Sequence, residues 1–166
     1  MLSRGDSAQD FYVDGNWILA SQNAEQFYNS GEQKYLYNFA DQSRISVPQL
    51  KDVSQARFSP DGTQLIYIQL NHQEIRSSIC VRSFELNDRE IVLGEPRVLY
   101  TATNGQVDFR CSHDGKNVAI AFNEVRLGNQ RQMIESGHLF IANLADGTKQ
   151  EINITHAGWI TVDDFR

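Results

Sequence analysis

Apolar residues along the chain come in short runs set off by polar turn residues, and the runs recur. Trp17-Ile18-Leu19-Ala20, Leu65-Ile66-Tyr67-Ile68 and Val118-Ala119-Ile120-Ala121-Phe122 each follow an Asp-Gly pair, at Asp14-Gly15, Asp61-Gly62 and Asp114-Gly115. Runs this short, rich in strand formers and bounded by turn signals, predict strands buried on both faces. Helix is hard to place: the best stretch, Ala24 to Ser30, is too short and polar to bury a useful face. From Asp14 to Asp61 is 47 residues and from Asp61 to Asp114 is 53, so the pattern has a period.

A second marker keeps step with the first. Asn38-Phe39-Ala40-Asp41 returns as Asn143-Leu144-Ala145-Asp146, and Glu85-Leu86-Asn87-Asp88 reads as a degenerate middle copy. Each follows another strand-like run (Tyr35-Leu36-Tyr37, Ile79-Cys80-Val81, Leu139-Phe140-Ile141), and a third run follows at Ile45-Ser46-Val47 and Val98-Leu99-Tyr100. One unit therefore reads as strand a, an Asp-Gly turn, strand b, a variable loop, strand c, a turn at the second Asp, and strand d. Four antiparallel strands in about fifty residues is the pattern of a β-propeller blade.

The predicted fold is thus all-β, with blades of four antiparallel strands at residues 11–50, 51–102 and 103–155 after an N-terminal lead-in, 1–10. Asp164-Phe165-Arg166 repeats Asp108-Phe109-Arg110, so residues 156–166 read as a stub, the first strand of a fourth blade. Propellers close with about four to eight blades, so the expectation is a partial propeller. A piece of a longer chain is the favoured reading. The other is half of a six-bladed ring completed by a second copy, because an open arc leaves strand edges exposed, which proteins normally avoid.

Composition narrows the partners. The 166 residues carry 15 Lys+Arg against 21 Asp+Glu, a formal charge of −6, which argues against a nucleic-acid partner. No apolar run approaches the roughly 20 residues of a bilayer span, so a membrane-embedded chain is not expected.

Phe58-Ser59-Pro60-Asp61-Gly62, then two residues and an apolar strand to Ile68, resembles the repeat of TolB-like, WD-repeat-like β-propellers. Cys111-Ser112-His113-Asp114-Gly115 is a second copy and Phe11-Tyr12-Val13-Asp14-Gly15 a weaker one. The same unit builds the propellers of prolyl-oligopeptidase-type serine peptidases and the extracytoplasmic domains of some membrane-bound transcription regulators. The resemblance runs from about Phe11 onward. It implies a non-catalytic module for protein, peptide or ligand interaction in the bacterial envelope, with a periplasmic location. The alternatives are the gating propeller of a peptidase whose catalytic domain is absent here, and an extracytoplasmic sensor domain.

Chemistry-bearing motifs are sparse. Gly5-Asp6-Ser7-Ala8 is similar to the start of a GDSL-type hydrolase block, but no strand-like run precedes it and no Asp lies three residues before a His; Arg4-Gly5-Asp6 is too short to weigh. There is no Gly-x-Ser-x-Gly elbow, hence no nucleophile to assign and no enzyme expected. His72, His113, His138 and His156 lack metal-ligand spacing, phosphate-binding glycine loops are missing, and no metal or other cofactor is expected. Cys80 and Cys111 read as free, buried cysteines, with a disulfide conceivable in an oxidising compartment. Asn153-Ile154-Thr155 has the form of a glycosylation acceptor.

Binding is expected on the b–c connections, Gln22 to Gln33, Asn71 to Ser78 and Asn123 to Ser136, which vary while the a–b turns repeat. They carry Tyr28, His72, Arg76, Arg126 and Arg131, side chains suited to a protein or peptide partner.

Overall fold

A computed structural model describes residues 6–12, 15–22, 33–88, 90–127, 132–153, 160–162 and 165. Among them the regular elements are strands and one 3-10 turn, Pro48–Leu50. The first sheet is β1 (Asp6–Phe11), β2 (Trp17–Gln22), β3 (Gln33–Asn38) and β4 (Arg44–Ser46), antiparallel and in chain order. The second holds β5 (Val53–Phe58), β6 (Gln64–Asn71), β7 (Arg76–Asn87), β8 (Glu90–Leu93) and β9 (Arg97–Thr103). The third is β10 (Gly105–Cys111), β11 (Asn117–Leu127), β12 (Gln132–Asn143) and β13 (Lys149–Ile152). These antiparallel sheets, two of four strands and one of five, are those of a partial β-propeller, as the repeat predicts.

The repeat is visible atom by atom in the turns between the first two strands of each sheet. Gly15, Gly62 and Gly115 donate to the carbonyls of Tyr12, Ser59 and Ser112 at 2.9, 2.8 and 2.9 Å. All three glycines sit at positive φ, 71°, 72° and 68°, a region costly for any residue with a Cβ. Ser59 Oγ donates to Asp61 Oδ1 and accepts from Gln64 N–H; Ser112 Oγ does the same with Asp114 and Asn117. The third-to-fourth-strand turns match too. Asn38 Oδ1 accepts from Ala40 N–H at 2.7 Å, and Asn143 Oδ1 from Ala145 N–H at 2.8 Å, the side chain imitating a backbone turn.

Two sequence expectations need correction. β1 begins at Asp6, pairing with Gln22, inside the stretch 1–10 read as a lead-in. Its polar sequence hid it, because strand pairing runs through the backbone and a strand at the end of a sheet needs no apolar alternation. In the middle sheet, Phe84 N–H donates to Thr63 O as Phe39 does to Asn16 O and Leu144 to Lys116 O. Phe84, rather than Leu86, is therefore the equivalent of Phe39 and Leu144, and β7 runs past the point where the other blades turn. It forms an extra hairpin with β8, turning at Asp88 (φ 53°), while β9 also pairs with β7. Of the predicted stub, 156–166, only Ile160–Val162 and Phe165 are described, and the rest of it, Asp164 and Arg166 included, lies outside the described residues.

By contact density the chain forms two compact units, Met1–Gln69 with Cys80–Arg97, and Leu70–Ile79 with Val98–Arg166. In the first, Leu19, Leu36, Leu50, Leu65, Tyr67 and Phe84 share one core, while Ile18, Ala20, Tyr35 and Tyr37 form a separate one. Alternate residues of β2 thus enter different clusters, which is why that run lacks polar positions. Tyr12, Phe58 and Phe84 close the first core with ring centroids 4.9–5.3 Å apart. In the second unit, Ala119, Ala121 and Val162 pack with Leu139, Ile160 and Phe165.

Candidate binding surfaces

The structure shortens the connections on which binding residues were expected. β6 runs to Asn71 and β7 starts at Arg76, so the predicted loop Asn71 to Ser78 is a four-residue turn. Asn123 to Ser136 is mostly strand: β11 and β12 pair from Asn117 with Asn143 out to Leu127 with Gln132. A sequence of polar residues read as loop is a long hairpin, because its backbone bonds are satisfied across the pair rather than by water.

Of the five predicted binding residues, the structure places His72 in the short turn and Arg76 at the start of β7, both exposed. Arg126 is on β11 opposite Met133, whereas Tyr28 and Arg131 lie outside the described residues. Arg76 Nη2 is 2.8 Å from Glu74 Oε2, an exposed pair that contributes little to stability.

The turn also holds a residue that sequence reading passed over. Asn71 Oδ1 accepts from Gln73 and Glu74 N–H, both at 3.1 Å, and organises the reversal. Ile75 then closes it at φ 49° with 70% of its surface exposed. A β-branched residue in left-handed backbone is strained by about 1–2 kcal/mol, and here the apolar side chain recovers little by burial. Nothing in the residue string marks this site, since the signal is a backbone angle.

Asn104 links this tip to β11. Its N–H donates to Ile75 O at 3.4 Å and its carbonyl accepts from Val125 N–H at 2.9 Å, so the tip and the end of β11 that bears Arg126 meet on either side of one residue. His72, Ile75, Arg76 and Asn104 thereby fall on one neighbourhood of the second unit.

A second cluster, also missed, lies on one face of the third sheet. Ser136 Oγ donates to Glu124 Oε2 at 3.1 Å and is 3.1 Å from His138 Nε2, while His138 Nδ1 is 2.9 Å from Glu151 Oε1. The order resembles a nucleophile, base and orienting acid, but a hydroxyl has one proton. With that proton on Glu124, Ser136 does not yield it to His138, and the contacts run in a chain from Glu124 through Ser136 and His138 to Glu151. Phe122, His138 and Phe140 stack along the same face, with centroids 5.9 and 6.2 Å apart, and Tyr100 packs on Phe140 at 4.9 Å. Burial raises the Tyr100 phenol above its usual range, and the charges of Glu151 and Glu124 push the same way. The alternation Ser136-x-His138-x-Phe140 was the available signal. His138 is half-buried.

Cys80 and Cys111 are reduced cysteines, Cys80 buried and Cys111 half-buried. Burial pushes the Cys80 thiol up, as for a structural cysteine. Among the described residues no three His, Cys, Asp or Glu side chains are placed to hold a metal ion, and no helix is long and apolar enough to cross a membrane.

Comparison with known proteins agrees on architecture. TolB from Acinetobacter baumannii superposes with a TM-score of 0.61 at 14% identity, covering 92% of this chain and 33% of that one. The fold shown is that of TolB-like propeller blades. An acylaminoacyl peptidase from Pyrococcus horikoshii gives 0.58 at 13% identity, over 89% of this chain and 25% of its own. Hydrazine synthase from Kuenenia stuttgartiensis gives 0.55 at 16%, over 86% and 40%. The chain thus spans between a quarter and two-fifths of these three structures. No family model matches the sequence, and no curated protein does.

Proposed function

We propose that the chain is a non-catalytic β-propeller module that binds a protein or peptide partner in the bacterial cell envelope. The observation that carries this reading is Ile75, an exposed apolar residue held in strained backbone at a strand tip. Strain of this kind persists where it serves something other than stability. Around it, His72 and Arg76 supply polar contacts, and the propeller likeness supplies a rigid scaffold for a short tip. The sequence carries no Gly-x-Ser-x-Gly elbow, which supports a non-catalytic role.

Site-specific photo-crosslinking tests the surface. A crosslinker at position 72 should trap one discrete species in cells that make the protein, and one at His113, in the turn between β10 and β11, should not. Equal labelling from both positions overturns the assignment.

The likeness to an acylaminoacyl peptidase supports a second reading, in which this propeller belongs to a peptidase and controls access to its catalytic domain. A Gly-x-Ser-x-Gly elbow encoded in frame downstream would establish it. The periplasmic location and completion of a six-bladed ring by a second copy also stand as proposals. Light scattering that returns a monomer mass at every concentration rules the ring out.

A further inference from the structure

The chain contains five Asp-Gly or Asn-Gly pairs, and the structure treats one of them differently. In four of them, Asp14-Gly15, Asp61-Gly62, Asp114-Gly115 and Asp146-Gly147, the glycine N–H donates to a backbone carbonyl at 2.8–2.9 Å. The fifth, Asn104-Gly105, joins β9 to β10. Asn104 is exposed, at φ 55°, and its side-chain amide has no hydrogen bond among the described residues. The orientation of the Gly105 N–H follows from the ladder. In the register of β10 with β11, Asn104 stands opposite Val125 and Ser112 opposite Asn117, and both pairs carry ladder bonds, Val125 N–H to Asn104 O and Ser112 N–H to Asn117 O. Antiparallel pairs alternate, so Gly105 with Glu124 is a non-bonded pair. The Gly105 N–H therefore points away from β11, on the side of β10 that has no neighbour in its sheet.

We propose that Asn104-Gly105 is a self-modification site, at which the asparagine is converted to aspartate and isoaspartate. The Gly105 backbone nitrogen loses its proton to solvent base and attacks Asn104 Cγ. A C–N bond forms, the Cγ–NH2 bond breaks, and ammonia leaves with a proton from water. Water then opens the five-membered imide at either carbonyl, giving Asp or isoAsp. Glycine offers no side chain to hinder the attack. At the four Asp-Gly turns the attacking nitrogen is tied down, and the electrophile is a carboxylate, a poor one. The product puts a new negative charge beside the Ile75 tip, and the isoAsp form adds a backbone atom to the one-residue link between β9 and β10. Phe122 lies over Gly105 so closely that a Cβ there would collide with its ring, so the added atom bears directly on that packing.

Peptide mapping by mass spectrometry of the full folded chain, held at mildly alkaline pH, tests the site. The peptide bearing residue 104 should gain the mass of an amide-to-acid exchange and split into two products. One of these should be methylated by an isoaspartyl methyltransferase. The rate should be comparable with that in urea, while isoaspartate at positions 61, 114 and 146 forms in urea only. An Asn104→Gln chain, whose cyclisation needs a larger ring, should stay unmodified. Protection of Asn104 in the folded chain relative to urea overturns the proposal, as does isoaspartate forming equally fast at the folded Asp-Gly turns.

Discussion

Ser59 and Ser112 hold equivalent turns with the same three atoms, and their carboxylate partners respond alike. The Ser59 hydroxyl, then the Thr63 N–H, keep Asp61 below the usual carboxylate range; Ser112 and the Lys116 N–H do the same for Asp114. A carboxyl depressed in the folded state stabilises above its unfolded value, near 4, and that contribution is lost as pH falls through the lower folded value. Asp61→Asn should therefore cost up to about 1 kcal/mol at pH 7, the low end because the group is largely exposed. In urea titrations the gap from the parent should close below about pH 4; a gap that persists there contradicts the assignment. Ile75 makes the opposite prediction. Ile75→Gly relieves left-handed strain and should leave stability unchanged or raise it by about 1 kcal/mol, net of glycine's entropy cost. In the crosslinking assay it should lose the partner, and a variant that is less stable while still binding would show Ile75 to be structural.

At the scale of elements, the sequence made some features plain and concealed others for physical reasons. The Asp-Gly turns and the runs at Trp17, Leu65 and Val118 were legible because glycine at positive φ and continuous apolar burial both leave composition marks. β1 was not, being polar and paired to β2 through the backbone, and the β11–β12 extension was not, since Asn123 to Ser136 reads as loop when pairing across the hairpin is unseen. The β7–β8 hairpin was hidden by a coincidence: Asp88 sits where a repeat turn is expected, yet Phe84, not Leu86, is the equivalent of Phe39 and Leu144. Its inner face is packed, with Leu86, Ile91 and Leu93 against the first core, while Val92 is exposed. Ile91→Ala should cost about 1–2 kcal/mol, less than the roughly 2–5 kcal/mol of a fully buried site, and Val92→Ala less than about 0.5 kcal/mol. Equal costs in denaturant unfolding would mean that the hairpin is not packed as described. Of the binding tip, only the residue types were readable; the strain at Ile75 and the bridge through Asn104 are properties of backbone geometry.

For the molecule as a whole, the second unit depends on a side chain acting as a strand. Asn123 is buried at 2% exposure, and its amide donates to Ile160 O and accepts from Ile160 N–H, both at 2.7 Å. Asp108 Oδ2 accepts from Val162 N–H at 3.4 Å, and Val162 then fills the core against Ala119 and Ala121. A non-strand segment is thus fastened to the sheet by two polar side chains where a further strand would use its own ladder. The first unit has a related device, Asp10 Oδ2 accepting from Phe58 N–H at 2.7 Å, which ties β1 to β5. Removing the Asn123 amide leaves both backbone groups of Ile160 without their partner, at about 1–3 kcal/mol. Asn123→Ala should accordingly speed hydrogen exchange at Ile160 and Val162 by one to two orders of magnitude, the rate equivalent of that energy. Amides of β2 and β3, in the other unit, should keep their rates, because the fastening acts locally. Uniform acceleration across all strands would instead show that Asn123 supports global stability, and that Ile160–Val162 opens only when the whole chain does.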